Sequence, residues 1–250
     1  MLAADFHIRK SSPRLIDAVK DAGQVGRCGT RSVVRISAWS DADCEEVKID
    51  AMTWFYELLY GRFRAPWDIG PRKELVELVE NGRLAPCCEI DLGSGTASNC
   101  VFLAQHGFDV TGVDFSPAAI KLGRKRSAAA GVSVSFVVGD LTDLRGITGP
   151  FDLLVDYGTL DDLKPTQRDR YVQNILPLTH AGSRYLLYCF EWEPRWYERP
   201  YFSSMAMLPG EAEQRFAPHF NIERYAAESG LKGLPRGWAV YLMTRKGKLA

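Results

Sequence analysis

Two glycines, Gly93 and Gly95, follow the apolar, acid-bearing run Glu89-Ile90-Asp91-Leu92 and lead straight into a helical pattern. Without β-carbons the chain can turn tightly there and let a ligand approach the main chain. The helix that follows points free N–H groups and the positive end of its dipole at that ligand. These residue types describe a nucleotide-cofactor crevice at the end of a first parallel strand. A second acid, Asp114, closes the next apolar run, Phe108-Asp109-Val110-Thr111-Gly112-Val113, at about the twenty-residue interval where a ribose diol is gripped. A third run, Val137-Val138, ends in Gly139-Asp140-Leu141. An acid there accepts from an exocyclic adenine amine, and the next backbone N–H reaches the ring.

Glycine spacing alone leaves the cofactor open. A nicotinamide or flavin fingerprint puts a third glycine or alanine three positions after the second, where this chain has Ser98; the small residue is instead Ala97. The acid at Asp114 serves both cofactor classes and does not discriminate.

The four segments D-L-G-S-G-T-A at 91–97, V-T-G-V-D-F-S at 110–116, G-D-L at 139–141 and F-D-L-L-V-D at 151–156 resemble, in order and interval, the class I S-adenosylmethionine-dependent methyltransferases. The resemblance implies an α/β, Rossmann-like seven-stranded sheet, mostly parallel, closed by an antiparallel hairpin. It also implies S-adenosyl-L-methionine as cofactor and a small-molecule methyl acceptor as partner. It places Asp91, Gly93 and Gly95 around the methionine and ribose part, Asp114 on the ribose hydroxyls with Phe115 beside it, and Asp140 with Leu141 next to adenine. Each acid also has a plainer reading, Asp114 as a cap for a helix starting near Ser116-Pro117 and Asp140 as an Asx turn. Asp156 and Tyr157 end the fourth strand, at the edge where cofactor and acceptor meet. There Asp156 could hold the cofactor's ammonium group or act as a base, and Tyr157 could stack on or hydrogen-bond the acceptor. The alternative is a purely structural strand end.

The loop Pro66-Trp67-Asp68-Ile69-Gly70 narrows the resemblance to the branch acting on thiopurines, halides and tellurite. That likeness implies Trp67 packed against the cofactor, an indole face over a sulfonium, with a helix bearing Tyr56 and Tyr60 over the site. The aromatic and arginine-rich stretch at 191–202 reads as a lid over a planar small acceptor. Related quinone and phenol methylases share the loop, so acceptor chemistry does not transfer.

Lys plus Arg and Asp plus Glu both number 31, so no net field draws the chain to nucleic acid or to an anionic membrane. The six cysteines form no C-x-x-C pair and read as small buried hydrophobes. Asp156, Asp161 and Asp162 lack the spacing of a metal site, so no metal is expected. The four histidines read as structural, and Lys121, Arg124, Lys125 and Arg126 as a solvated helix face. No apolar run approaches bilayer length, and nothing resembles a secretory signal, so the expected location is cytoplasmic.

The elements that would carry these residues alternate. Strands are expected at 87–92, 108–113, 133–138, 151–156 and 183–190. Helices are expected at 73–81, 97–106, 117–130 and 165–178. Phe220–Ala226 and Trp238–Arg245 form a hairpin. Alternation of this kind gives a parallel sheet with right-handed crossovers. Residues 1–50 read as an extension of unknown role and 51–250 as the methyltransferase domain; oligomeric state is not legible. A rival reading is a catalytically silent cofactor-binding protein of the same fold.

Overall fold

The computed structural model describes residues 56, 59–60, 68–193, 196–197, 206–228 and 237–247. Helix α1 (Lys73–Glu80) turns Leu75 and Leu78 inward and ends just before Gly82, at φ 77°. Then come β1 (Cys88–Leu92), α2 (Ser98–Gln105), β2 (Asp109–Asp114), α3 (Pro117–Ala129), β3 (Ser135–Val138) and β4 (Phe151–Tyr157). Helix α4 (Pro165–Ile175), β5 (Thr179–Phe190), α5 (Glu211–Phe216), β6 (Phe220–Glu228) and β7 (Trp238–Arg245) complete the order among the described residues. Two helix starts follow directly from side-chain chemistry. Pro117 and Pro165 open α3 and α4, where a missing N–H costs nothing, and the Ser116 hydroxyl accepts from the Ala119 N–H at 3.1 Å.

The seven strands form one sheet in the order β3-β2-β1-β4-β5-β7-β6. Strand β1 pairs in parallel with both β2 and β4, and β4 with β5; β7 runs antiparallel to β5 and β6. The expected α/β sheet with its antiparallel closing hairpin is therefore present. Strand order reverses between β1 and β4, so the crevice opens where Leu92 lies beside Asp156.

Each face of the sheet carries its own core. Ile90, Leu92, Val113, Leu154, Tyr171 and Leu187 pack on one. Leu75, Leu78, Leu103, Val110, Val155 and Leu186 pack on the other. Because successive strand residues point to opposite faces, Asp156 goes with the first core and Tyr157 with the second.

The structure departs from the sequence reading in five places. Ala97 is not the first residue of α2; it precedes it at φ 65°, a left-handed conformation that costs an L-residue roughly 1–2 kcal/mol. A side chain larger than a methyl has no room there, since a β-carbon on Gly123 would already meet the Ala97 Cβ at 3.0 Å. The expected helix 165–178 ends at Ile175 and tightens into a 3₁₀ turn, Leu176–Leu178, around Pro177, which cannot extend an α-helical ladder. Strand β3 starts two residues later than expected, at Ser135, and α5 was not foreseen at all. Among the cysteines, Cys100 and Cys189 are buried thiols and Cys87 is half-buried, whereas Cys88 departs from the expectation by being disulfide-bonded. Residues 1–50 and Trp67 lie outside the described residues. No described helix is long and apolar enough to cross a membrane.

Candidate cofactor and acceptor site

The turn after β1 is built from main-chain bonds. Gly93 (φ 81°) and Ser94 both donate to the Val113 carbonyl, at 2.8 and 2.9 Å, which ties the turn to the end of β2. A β-carbon on Gly93 would lie 2.0 Å from the Thr159 hydroxyl, so this glycine is required by the close approach of the β4 loop. Gly95 (φ 52°) donates its N–H to Asp114 Oδ2 at 2.8 Å, and Asp114 Oδ1 accepts from the Ser116 N–H at 2.9 Å. The helix cap of the plainer reading is Ser116 and not Asp114, which instead braces the Ser116 N–H and stands against the glycine turn. Those two bonds set the plane of its carboxylate at the crevice.

Two acids sit deeper in β1. Asp91 is buried, its Oδ2 accepts from the Cys100 thiol at 3.1 Å, and desolvation, aided by the charges of Asp156 and Asp114, lifts its carboxyl to about 7. Glu89, two residues earlier on the same face, is fully buried with neither carboxyl oxygen hydrogen-bonded, and burial pushes it well above the usual carboxylate range. On the ends of β2 and β3, Phe115 and Val138 are large apolar side chains 38% and 48% exposed, next to the exposed Asp140. An exposed apolar pair beside an acid suits the face and edge of an adenine. Asp140 Oδ1 also accepts from the N–H and hydroxyl of Thr142, at 2.7 and 2.8 Å, which is the Asx turn of the plainer reading; Leu141 is buried behind it.

The two residues expected to do chemistry are committed elsewhere. Asp156 is fully buried; its Oδ1 accepts from the Thr159 N–H at 2.9 Å and its Oδ2 from the Tyr171 hydroxyl at 2.5 Å. Desolvation raises it to about 7 against those bonds. It braces the β4 turn from the first core and is not open to a ligand's ammonium group or proton. The Tyr157 hydroxyl donates to the buried carboxylate of Glu74 in α1, so it is not placed as a base. Burial first, then Glu74, pushes the phenol further up. Its ring stacks on Tyr188 at 4.3 Å between centroids, Tyr188 stacks on Trp238 at 5.5 Å, and the Arg72 guanidinium covers Tyr157 at 4.6 Å. The stack spans β4, β5 and β7 beneath α1.

The sequence reading missed how the lid is fastened. Arg126, read as part of a solvated face, grips both oxygens of Asp68 at 2.9 and 2.7 Å, reaches the Thr96 hydroxyl at 2.8 Å and also bonds the Ser98 hydroxyl. Arg126 holds Asp68 below its ordinary value. The Arg72 N–H adds a bond to the Asn99 side chain at 3.1 Å. The segment carrying Asp68 to Arg72 is thereby pinned to the first turn of α2. The available signal was the capacity of an Asp in the loop to pair with an Arg one helix away, which spacing alone does not single out. Tyr56 and Tyr60 lie over the same crevice. Tyr60 Oη sits 3.3 Å from the β-carbon position of Gly95, while the Tyr56 hydroxyl donates to Asp162 Oδ2 at 2.6 Å and its ring meets Phe115 edge-on at 5.6 Å. Among the described residues, no group of His, Cys, Asp or Glu has the arrangement of a metal site.

Comparison with known proteins agrees with this geometry. Residues 90–182 match the family described as a methyltransferase domain. Over 130 residues the chain is 31% identical to 2-heptyl-1-hydroxyquinolin-4(1H)-one methyltransferase of Mycobacteroides abscessus, covering 51% of this chain and 57% of that protein. Over 178 residues it is 27% identical to thiopurine S-methyltransferase of Bos taurus, covering 61% and 71% respectively. The chain thus spans little more than half the length of the first of these relatives. The N-methyltransferase NodS of Bradyrhizobium japonicum, solved with S-adenosyl-L-homocysteine, shares the fold with a TM-score of 0.63 at 17% identity, over 78% of this chain and 99% of that one. With the glycine turn, the switch point and the closing hairpin in place, the fold is that of the methyltransferases the chain is similar to, and residues 90–182 match a methyltransferase domain.

Proposed function

We propose that this chain binds S-adenosyl-L-methionine in the crevice between β1, β2 and β4 and transfers its methyl group to O, S or N of a small, flat acceptor. The cofactor supplies an activated methyl group on a sulfonium. The chain's own work is to bind, orient and shield. In this reading Gly93, Gly95 and Asp91 receive the methionine and ribose part, Asp114 accepts from the ribose hydroxyls, and Phe115, Asp140 and Leu141 flank the adenine. Trp67 belongs to the same reading as a cover over the cofactor. Asp156 and Tyr157 act through position, Asp156 by bracing the β4 turn and Tyr157 by presenting a ring edge to the acceptor. Residues 51–250 are the catalytic domain and 1–50 an extension to it.

One observation carries the proposal: the glycine turn and the Asp114 carboxylate are joined by the Gly95 N–H bond at 2.8 Å beside the point where strand order reverses. The two named relatives act on an N-hydroxyquinolone and on thiopurines, which favours heteroaromatic acceptors. The balanced charge of the chain argues against nucleic acid as the acceptor. Calorimetry with S-adenosyl-L-homocysteine tests the cofactor half. Asp114→Asn keeps one acceptor for the turn but removes the charge, and should weaken binding by roughly 1.5–3 kcal/mol, the range for a hydrogen bond to a charged group. Unchanged affinity in a folded variant refutes the ribose assignment.

A further inference from the structure

The proposed cofactor ends in an amino acid, and the corner of the fold that would receive that end is rich in acid. Asp91 lies within electrostatic range of Asp114 and Asp156, and Asp114 stands against the glycine turn through the Gly95 N–H bond. Such a corner suits the ammonium group of an amino acid and repels its carboxylate, the more so because protein screens charge less than water does. Binding the whole zwitterion therefore calls for a cation beside the turn.

Arg72 stands at that point. Its backbone N–H donates to the Asn99 side chain in the first turn of α2 at 3.1 Å, and its guanidinium lies 4.6 Å from the centroid of the Tyr157 ring. Tyr157 ends β4 and follows Asp156, the register partner of Leu92 at the end of β1. Arg72 thus bridges the start of α2 and the end of β4, where strand order reverses. Its charge is felt there: burial raises the proton affinities of Asp91, Tyr157 and Tyr188, and Arg72 opposes the rise in all three. Arg72, Gly93, Gly95 and Tyr157 are each half-buried, so this corner is open to solvent and not sealed in the core. The neighbouring cations serve other groups. Arg126 grips Asp68, and Lys73 is an exposed ammonium 5.2 Å from the Trp238 ring centroid and 3.7 Å from Glu74.

We infer that the Arg72 guanidinium receives the α-carboxylate of the cofactor's methionine part, with the Tyr157 ring supporting it. This rests on the proposed cofactor binding and assigns the amino-acid end of the ligand to the segment before α1. A guanidinium can give a carboxylate two parallel N–H bonds while it lies against an aromatic ring. The Tyr157 hydroxyl is given to Glu74, which fixes that ring as a platform for the cation. Arg72 is then a binding residue that anchors one end of the cofactor, and Tyr157 a positioning residue that acts through it.

The test reads binding and not turnover. Calorimetry on the full chain compares S-adenosyl-L-homocysteine with its decarboxylated analogue, which keeps the ammonium group and loses the carboxylate, in the parent, Arg72→Gln and Arg72→Lys. The parent should prefer the carboxylate-bearing ligand by about tenfold or more, the fold-change for a hydrogen bond between charged groups. Arg72→Gln should erase most of that preference by weakening the first ligand and not the second. Arg72→Lys keeps the charge without the paired donors and should fall between the two; it carries the comparison if a melting curve shows Arg72→Gln unfolded. Equal affinity of the parent for both ligands overturns the inference and leaves cofactor binding standing. So does a preference that survives in the variants, since main-chain N–H groups of the turn would then hold the carboxylate. Equal weakening of both ligands overturns it too, as the mark of an Arg72 that only supports the fold. A parent that binds neither ligand overturns the cofactor reading itself.

Discussion

Asp156 gives a prediction whose size comes straight from the structure. Its carboxyl is fully buried at the junction of β4 and α4, and desolvation lifts it from an ordinary 3.8 to about 7 despite bonds from Tyr171 and Thr159. In the unfolded chain the group loses its proton near 3.8; in the folded protein it keeps that proton until about 7. Between those values the folded state binds more protons, so stability is fully present below 3.8 and is lost as pH rises through about 7. At about 1.4 kcal/mol per unit, roughly three units give about 4 kcal/mol from this one side chain. Asp156→Asn is neutral in both states and removes that dependence while keeping an acceptor for the Thr159 N–H. Urea unfolding of both proteins from about pH 4 to about pH 8 should show the parent losing stability relative to the variant by up to about 4 kcal/mol. Tyr171→Phe deletes a donor that favours the carboxylate, and should move the parent's midpoint upward. Parallel stability curves for the parent and Asp156→Asn would show that the carboxyl titrates normally, and that the burial argument fails.

Two further outcomes follow from the same reasoning. Arg126→Lys cannot span both Asp68 oxygens and the two hydroxyls with a single ammonium, so the pinned segment before α1 should loosen; affinity for S-adenosyl-L-homocysteine should fall by several-fold with little change in thermal midpoint, as calorimetry and a melting curve would show. Glu89→Met replaces a buried, unpaired carboxyl by an apolar chain of similar volume and should raise stability by about 1–3 kcal/mol at pH 8, a gain that shrinks as the pH is lowered toward the ordinary glutamate value, measured by the same urea titration.

Much of the frame was legible because it rests on local rules. Gly93 and Gly95 announce a turn, the apolar runs ending in Asp91, Asp114 and Asp140 announce parallel strands, and the glycine-rich gap before Trp238 announces a hairpin. What escaped is what depends on contacts between distant residues. Arg126 looks solvated on its own helix, and only the packing of α3 beside the β1 turn brings it to Asp68. Glu74 and Tyr157 lie in separate elements, and nothing local foretells that the phenol hydroxyl is taken by that carboxylate. The helix at Glu211–Phe216 is a turn and a half long, too short for a periodic pattern to declare itself. Asp161 and Asp162 stand before the helix that opens at Pro165 with Lys164 as its cap, and only the fold shows that the first of them is buried.

Strand alternation also explains why the acids around the crevice divide their labour as they do. On β4 the neighbours Asp156 and Tyr157 face opposite cores, so a single strand end supplies a strut to one layer and an aromatic wall to the other. Asp91 and Glu89 share the second face, where their mutual repulsion and burial keep protons on at least part of the pair. Burial likewise raises the proton affinity of Asp156 and of Asp161 in the turn that follows β4.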